Sequence, residues 1–485
     1  VISMAVLSLF KDSSILENNI VQTVASAAGT LSAIIFVLPG LLIVGWWADF
    51  PFWTSFWICA SGGVLGVLFT IPLRRAMVTT SDLPYPEGVA AAEVLEVGDQ
   101  ARQAAGGHAP SDTSEGLLAV IYGTIASAGL AIFAATRVMA GEVTGSFRLG
   151  ANSASGYDMS FSLALLGAGY LVGLSVGMAM LLGLLIAWAG AVPILTALEP
   201  SHVGSLDDFV NGVWYHKVRF IGAGAIAVAA LWTLSKLAGP LVRGVVSTLA
   251  ASRGRKGGAD LRDVDMSPFW IVALAIACLV VIAFLLRAFL STTPLANQTS
   301  DMLLAAIPFI FIGGFLVAAI CGYMAGLIGA SNSPLSGVGI LAIICCAIML
   351  IAVAHPAAET RSALVAYALF ATSIVFAIAT ISNNNLQDLK TGQLIGATPR
   401  AQQWALIVGV IAGAAVIPPV LNLLAHAYGF AGAPRMASAV AKPLGAPQAN
   451  LISALAQGVI EGKLDWGMIG VGGVLGVALI GLDEF

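Results

Sequence analysis

This chain reads as an all-α polytopic membrane protein: a helical bundle with broken and re-entrant helices. Three observations carry that reading. The 485 residues are 59% hydrophobic and only 9% charged, whereas soluble domains carry about 25% charged residues. Apolar runs of membrane-crossing length recur along the whole chain. Trp46, Trp47, Trp53, Trp57, Trp188, Trp214, Trp270, Trp404 and Trp466 fall near the ends of those runs. An indole, apolar in body and polar at one edge, suits the membrane–water interface.

In chain order the runs predict spans at 20–48, 52–73, 116–136, 160–187, 218–238, 268–290, 303–328, 334–354, 362–381, 402–425 and 466–482. Small-xxx-small pairs (Gly62/Gly66, Gly173/Gly177, Gly322/Gly326, Gly409/Gly413, Gly472/Gly476) let helix backbones approach closely where lipid supplies no hydrophobic drive. Three basic segments orient the chain: Arg74-Arg75, the group Arg253, Arg255, Lys256 and Arg262, and Lys390 with Arg400. With all three on the cytoplasmic side, the spans between 74 and 253 are one crossing short. Residues 188–217, with Pro193, Glu199, Pro200 and His202, therefore read as a broken or half-length helix.

The whole chain, 1–485, is expected to form a single transmembrane transport domain in the cell membrane. Polar loops fall at 99–115 and 251–266, and outer-face segments at 138–160 and 426–450, the latter as a partial lid. Val1 is not a start methionine and the last run stops at Asp483-Glu484-Phe485, so the termini read as cut.

Several functions find no support. A net charge of −4 without a basic face argues against nucleic acid. The five cysteines lie in apolar runs and read as small buried hydrophobes. The five histidines form no HExxH-like pair, so neither metal nor cofactor is expected. There is no Walker-type GxxxxGK[ST], hence no ATP hydrolysis within the chain. An intramembrane enzyme would need a nucleophile with its base, or paired aspartates. A channel-like pore would draw its filter from symmetric repeats around an axis. These two remain the alternatives to a carrier.

Three polar interruptions could carry transport. The first, Ser81-Asp82-Leu83-Pro84-Tyr85-Pro86-Glu87-Gly88, follows a membrane-length run. Its two prolines forbid a regular helix, and broken backbone at membrane depth survives only against protein or a wet cavity. A carboxylate there costs about 2.5–3.5 kcal/mol and, once desolvated, holds a proton more readily. Glu87 is thus the first candidate for proton coupling. Glu93 and Glu96 read more simply as solvent-facing.

The second interruption is Gly329-Ala330-Ser331-Asn332-Ser333-Pro334-Leu335-Ser336-Gly337-Val338-Gly339. Asn332, Ser333 and Ser336 could bind a peptide-like backbone without charge. Pro334 suits the first turn of a new helix whose dipole points back into the break. The third runs from Ser382-Asn383-Asn384-Asn385-Leu386-Gln387-Asp388 to Arg400. Three successive asparagines cannot be buried cheaply unless they are hydrogen-bonded. Asn383, Asn384 and Gln387 join Tyr85 as substrate-binding candidates, and Asp388 is the second proton-coupling candidate. The three breaks are expected to converge on one cargo chamber.

Those strings, above all Leu83-Pro84-Tyr85-Pro86-Glu87-Gly88 and Asn384-Asn385-Leu386-Gln387-Asp388-Leu389-Lys390-Thr391-Gly392, resemble the oligopeptide transporter family, including its bacterial and yellow-stripe-like branches. The resemblance covers the chain from its start to the end of the 402–425 run. It implies a proton-coupled secondary transporter that imports small peptides or metal–chelator complexes by alternating access. It also implies about 16 spans, more than the runs supply. The motifs ending at Gly88 and Gly392 each close an apolar run, a pattern expected of two internally duplicated halves. Close glycine packing would serve a homo-oligomer as well as a single bundle.

Overall fold

The computed structural model describes residues 14–104, 122–123, 125–134, 136, 138–150, 152–172, 174–199, 205–229, 231–232, 235–236, 239, 261–331, 333, 335–354, 357–434, 443–462 and 464–484. Most of them are helical. Nine helical segments among them are long and apolar enough to cross a membrane: Ile15–Ile43, Phe52–Thr79, Gly177–Leu198, Leu261–Ser291, Ala296–Ile328, Leu335–Ala354, Ala358–Leu394, Pro399–Ala427 and Trp466–Glu484. These correspond to nine of the eleven expected runs. Much of 116–136 and part of 218–238 lie outside the described residues.

The chain forms two compact units, Val1–Asp99 with Ala229–Leu464, and Gln100–Val228 with Asp465–Phe485. Unit 1 contains helices α1 (Ile15–Thr30), α2 (Phe52–Arg74), α3 (Pro86–Ala104, which runs on past the boundary), α4 (Pro268–Ser291), α5 (Thr299–Pro308), α6 (Gly314–Ile328), α7 (Leu335–Ala354), α8 (Arg361–Leu394), α9 (Pro399–Ala427) and α10 (Pro447–Glu461). Its core is α8, whose most apolar stretch is wholly buried and which packs against α1, α2, α6, α7, α9 and α10.

The glycines of α2 set the α2–α8 contact. A Cβ at Gly62 would lie 2.7 Å from the Ile374 carbonyl, and one at Gly66 would lie 2.8 Å from that of Ile378. Gly62→Leu should therefore push the two helices apart and destabilise the unit by about 1–3 kcal/mol. Gly29→Leu, where nothing lies within 4 Å of the added carbon, should leave the melting temperature in detergent unchanged.

Three helices widen into π turns beside a proline. Pro72 precedes Arg75–Thr79, Pro308 precedes Phe309–Gly313, and Pro193 follows Leu185–Ala191. Each proline lacks the N–H that the regular ladder needs, and the backbone shifts register to find other partners.

Unit 2 holds a feature that the all-α expectation misses. Residues 138–160, expected as a polar outer segment, contain an antiparallel ribbon, β1 (Glu142–Arg148) paired with β2 (Ala154–Ser160), with Gly145 opposite Tyr157. Thr196 ties it to the helix Val192–Leu198, giving its hydroxyl to the Ala154 carbonyl and accepting from the Ala154 N–H. Trp188 stacks on Trp214 at 5.9 Å beneath it. The expected break within 188–217 is present: Val192–Leu198 ends, and Leu206–Val213 starts afresh with Ser205 as N-cap. In unit 1, helix α10 begins inside 426–450, the segment expected as a partial lid, and runs on to Glu461. Four of the five cysteines are buried, but Cys345 is exposed on α7.

Candidate functional site

The first motif is held in an unusual backbone conformation. Tyr85 has φ +44°, the one positive φ on a non-glycine among the described residues. That geometry costs a side-chain-bearing residue about 1–3 kcal/mol and persists only when its surroundings impose it. Here Tyr85 is fully buried, its N–H donates to the Gly326 carbonyl at 2.9 Å, and its hydroxyl donates to the Met77 carbonyl at 2.9 Å. The twist ends the extended segment and lets Pro86 begin α3. Glu87 then sits in the first turn, where the helix dipole favours a carboxylate.

The second motif meets the first directly. Glu87 Oε1 accepts from the Ser331 N–H at 2.8 Å. Gly329, at φ +91°, makes the turn after α6 and leaves room for that carboxylate. Ser333 donates its hydroxyl to Asn383 Oδ1, and Asn383 Nδ2 donates to the Ala330 carbonyl at 2.9 Å. Ser336 is half-buried in the first turn of α7. Asn332 lies outside the described residues.

The third motif corrects the sequence reading. Residues 382–394 are not a break: α8 continues unbroken through Asn383, Asn384, Asn385, Gln387 and Asp388 to Leu394. The physical reason is that nearly every polar side chain has a partner from another segment. Asn385 Nδ2 reaches Thr70 Oγ1 at 3.3 Å, and Asn384 Nδ2 reaches Ser26 Oγ. Gln387 is a strut: its Oε1 accepts from the Gly88 N–H at 2.7 Å and its Nε2 donates to the Ala325 carbonyl at 2.6 Å. Thr391 adds a bond to the Gly88 carbonyl at 2.9 Å. Asp388 is buried and accepts from Gln22 Nε2 at 2.7 Å.

Thus Tyr85, Glu87, Ser333, Asn383 and Gln387 meet in one junction of unit 1. Asn384 and Asp388 lie beside it, on the α1 side of α8. Glu93 and Glu96 are exposed on α3, as the simpler reading had it.

A family model for OPT oligopeptide transporter proteins matches residues 1–485. The chain belongs to the oligopeptide transporter family. Over 497 aligned residues, the whole of this chain and 76% of the relative, it is 48% identical to a Haemophilus influenzae protein named "Putative oligopeptide transporter". It is 25% identical to the Arabidopsis thaliana "Probable metal-nicotianamine transporter YSL8" over 81% of this chain and 54% of that one. This oligopeptide transporter family member is accordingly a multi-pass protein of the cell membrane, and its family is one of transporters rather than enzymes. The string Gly173-Leu174-Ser175-Val176-Gly177 does fit the G-x-S-x-G spacing of serine hydrolases. Ser175, however, lies on the apolar helix Leu174–Leu184 and not on a strand-to-helix turn.

Sequence reasoning missed two groups in this transporter. Gln22, Ser26 and Gln402 surround Asp388, and only the amide and hydroxyl residues spaced along α1 hinted at them. Arg74, read as an orienting loop charge, is buried in a bidentate pair with Asp265 at 2.6 and 2.9 Å. Gln403 Nε2 donates to the same carboxylate at 2.7 Å, and the Arg400 N–H donates to the Val264 carbonyl at 3.0 Å. Arg262 lies against Gly396. Arg74, Arg262 and Arg400, one from each basic segment, therefore lie at one end of unit 1, while Arg253, Arg255 and Lys256 fall outside the described residues.

Proposed function

We propose that this protein is a proton-coupled secondary transporter that imports small peptides or metal–chelator complexes by alternating access. The observation that supports this most is the junction of 85–88, 325–333 and 383–391, where backbone N–H and carbonyl groups from two interrupted segments are bound by side chains of α8. Asn383 and Gln387 of α8, with Ser333 and Tyr85 of the interrupted segments, are all spent on partners within the protein in this conformation. Asn332 and Ser336 belong to the same polar interruption. A cargo bearing amides and carboxylates offers the same donors and acceptors, so it can replace these bonds as the segments part. Exchange of one hydrogen-bonded set for another makes opening nearly isoenergetic, which a carrier requires. Asn384 and Asp388 extend the polar face toward α1. Glu87 and Asp388 are the groups that take up and release the proton.

The more similar of the two relatives is named for oligopeptides and the more distant for metal–nicotianamine, so peptides come first. In proteoliposomes, di- to pentapeptides and metal-loaded or metal-free chelators should be compared under an imposed pH gradient. Uptake of one class should saturate, accelerate when the outside is acidic, and show counter-exchange. Linear, non-saturating flux without counter-exchange would instead indicate a channel-like pore.

A further inference from the structure

The face of α1 toward α8 carries more buried polar atoms than the protein satisfies. Asn384 meets Ser26 and Asp388 meets Gln22. As numbering rises on α8 it falls on α1, so the next turn sets Gly392 at the level of Asn18 and Asn19. There Gly392 has no side chain, and the Gln402 amide occupies the place its Cβ would take. Gln402 Nε2 is anchored on the Asp388 carbonyl at 2.8 Å, and Gln22 Nε2 is anchored on the Asp388 carboxylate. With their N–H groups fixed, both amides hold their oxygens in known orientation.

Those oxygens have no partner. Gln22 Oε1, Gln402 Oε1, Asn18 Oδ1 and both amide atoms of Asn19 are buried and unpaired. Asn19 and Gln402 are fully buried. Each such group costs about 1–3 kcal/mol if left so. Four of the five atoms are acceptors, so the missing guest is a donor or a cation. Asp388 beside them forms no ion pair with a Lys, Arg or His among the described residues. Lys390 is turned to the other side of α8, 6.0 Å from the Tyr85 ring.

We propose that a monovalent alkali cation binds between α1, α8 and α9, held by the Asp388 carboxylate and the amide oxygens of Asn19, Gln22 and Gln402. Oxygen-only ligands select a hard cation. One carboxylate balances one positive charge, whereas calcium sites gather several. Absence of imidazole and thiolate from this set separates it from transition-metal sites. The inference deepens the coupling role read for Asp388, and gives that carboxylate a metal cation as well as a proton to exchange.

The test needs neither cargo nor gradient. The purified full chain in detergent is titrated with lithium, sodium and potassium chloride at fixed pH, with N-methylglucamine chloride holding ionic strength constant. At least one alkali cation should raise the melting temperature along a saturable curve, because a ligand of the folded state stabilises it by mass action. Asp388→Asn and Asn19→Leu should flatten that curve. Equilibrium binding of radioactive sodium and of rubidium, as a potassium tracer, to the unmodified protein gives an answer even where a variant does not fold. Equal shifts in all four salts with no tracer bound overturn the site, as does an unchanged curve in a folded Asp388→Asn protein. Gradient-driven uptake without any cation effect would sink this inference and leave the transporter reading intact. Cation binding without uptake of any cargo would do the reverse.

Discussion

Replacing Asp265 with alanine should destabilise unit 1 by about 3–5 kcal/mol, the usual cost of breaking a buried ion pair by removing one partner. Arg74 is 2% exposed at the end of α2. Without Asp265, its guanidinium keeps a single side-chain bond, to Thr79 Oγ1 at 3.2 Å. Gln403 Nε2 loses the same carboxylate. The pair joins the end of α2 to the segment before α4 and to the first turn of α9, so its loss should loosen one end of the unit. Since Asp265 is 28% exposed, water can reach the gap, and the lower end of the range is expected. Melting temperatures in detergent give the measurement. The double variant Arg74→Met with Asp265→Leu should recover most of the loss, because two apolar side chains leave no charge stranded. A fall in the double variant as large as the sum of the singles would mean that the pair has no coupling.

This pair also marks where reading a sequence stops. Arg74 closes an apolar run beside Arg75, and nothing near it distinguishes a loop charge from a buried one. The deciding partner is 191 residues away. The asparagine run behaves likewise. Asn383, Asn384 and Asn385 follow an apolar stretch, and local rules place a break there. The helix continues because Ala330, Ser26 and Thr70, each from a different segment, accept their amide hydrogens. What was legible is what local chemistry fixes. Apolar length located nine helical segments, and the prolines of 84–86 located the irregular backbone around Tyr85. Buried amides and carboxylates marked where segments had to meet. The ribbon at 142–160 was not legible, since its strands are short, polar on one face, and settled by contact with Thr196 and Trp188.

The second large effect concerns Glu87. Glu87→Gln should reduce gradient-driven uptake by about 5–150-fold, the range of a coupling free energy of 1–3 kcal/mol, while cargo counter-exchange persists. The substitution isolates charge from structure. A glutamine oxygen can still accept from the Ser331 N–H, where Glu87 Oε1 now does so at 2.8 Å. Its amide still fits the space beside Gly329, and Pro86 still starts α3. What is lost is the ability to exist with and without a proton, and with it the negative charge. Exchange at equal pH on both sides needs only cargo binding and the opening motion, so it should proceed at near its normal rate. Should Glu87→Gln retain full acceleration by an acidic exterior, the coupling proton lies elsewhere. Asp388→Asn, tested by the same two assays, then decides whether the α1 side of α8 carries it.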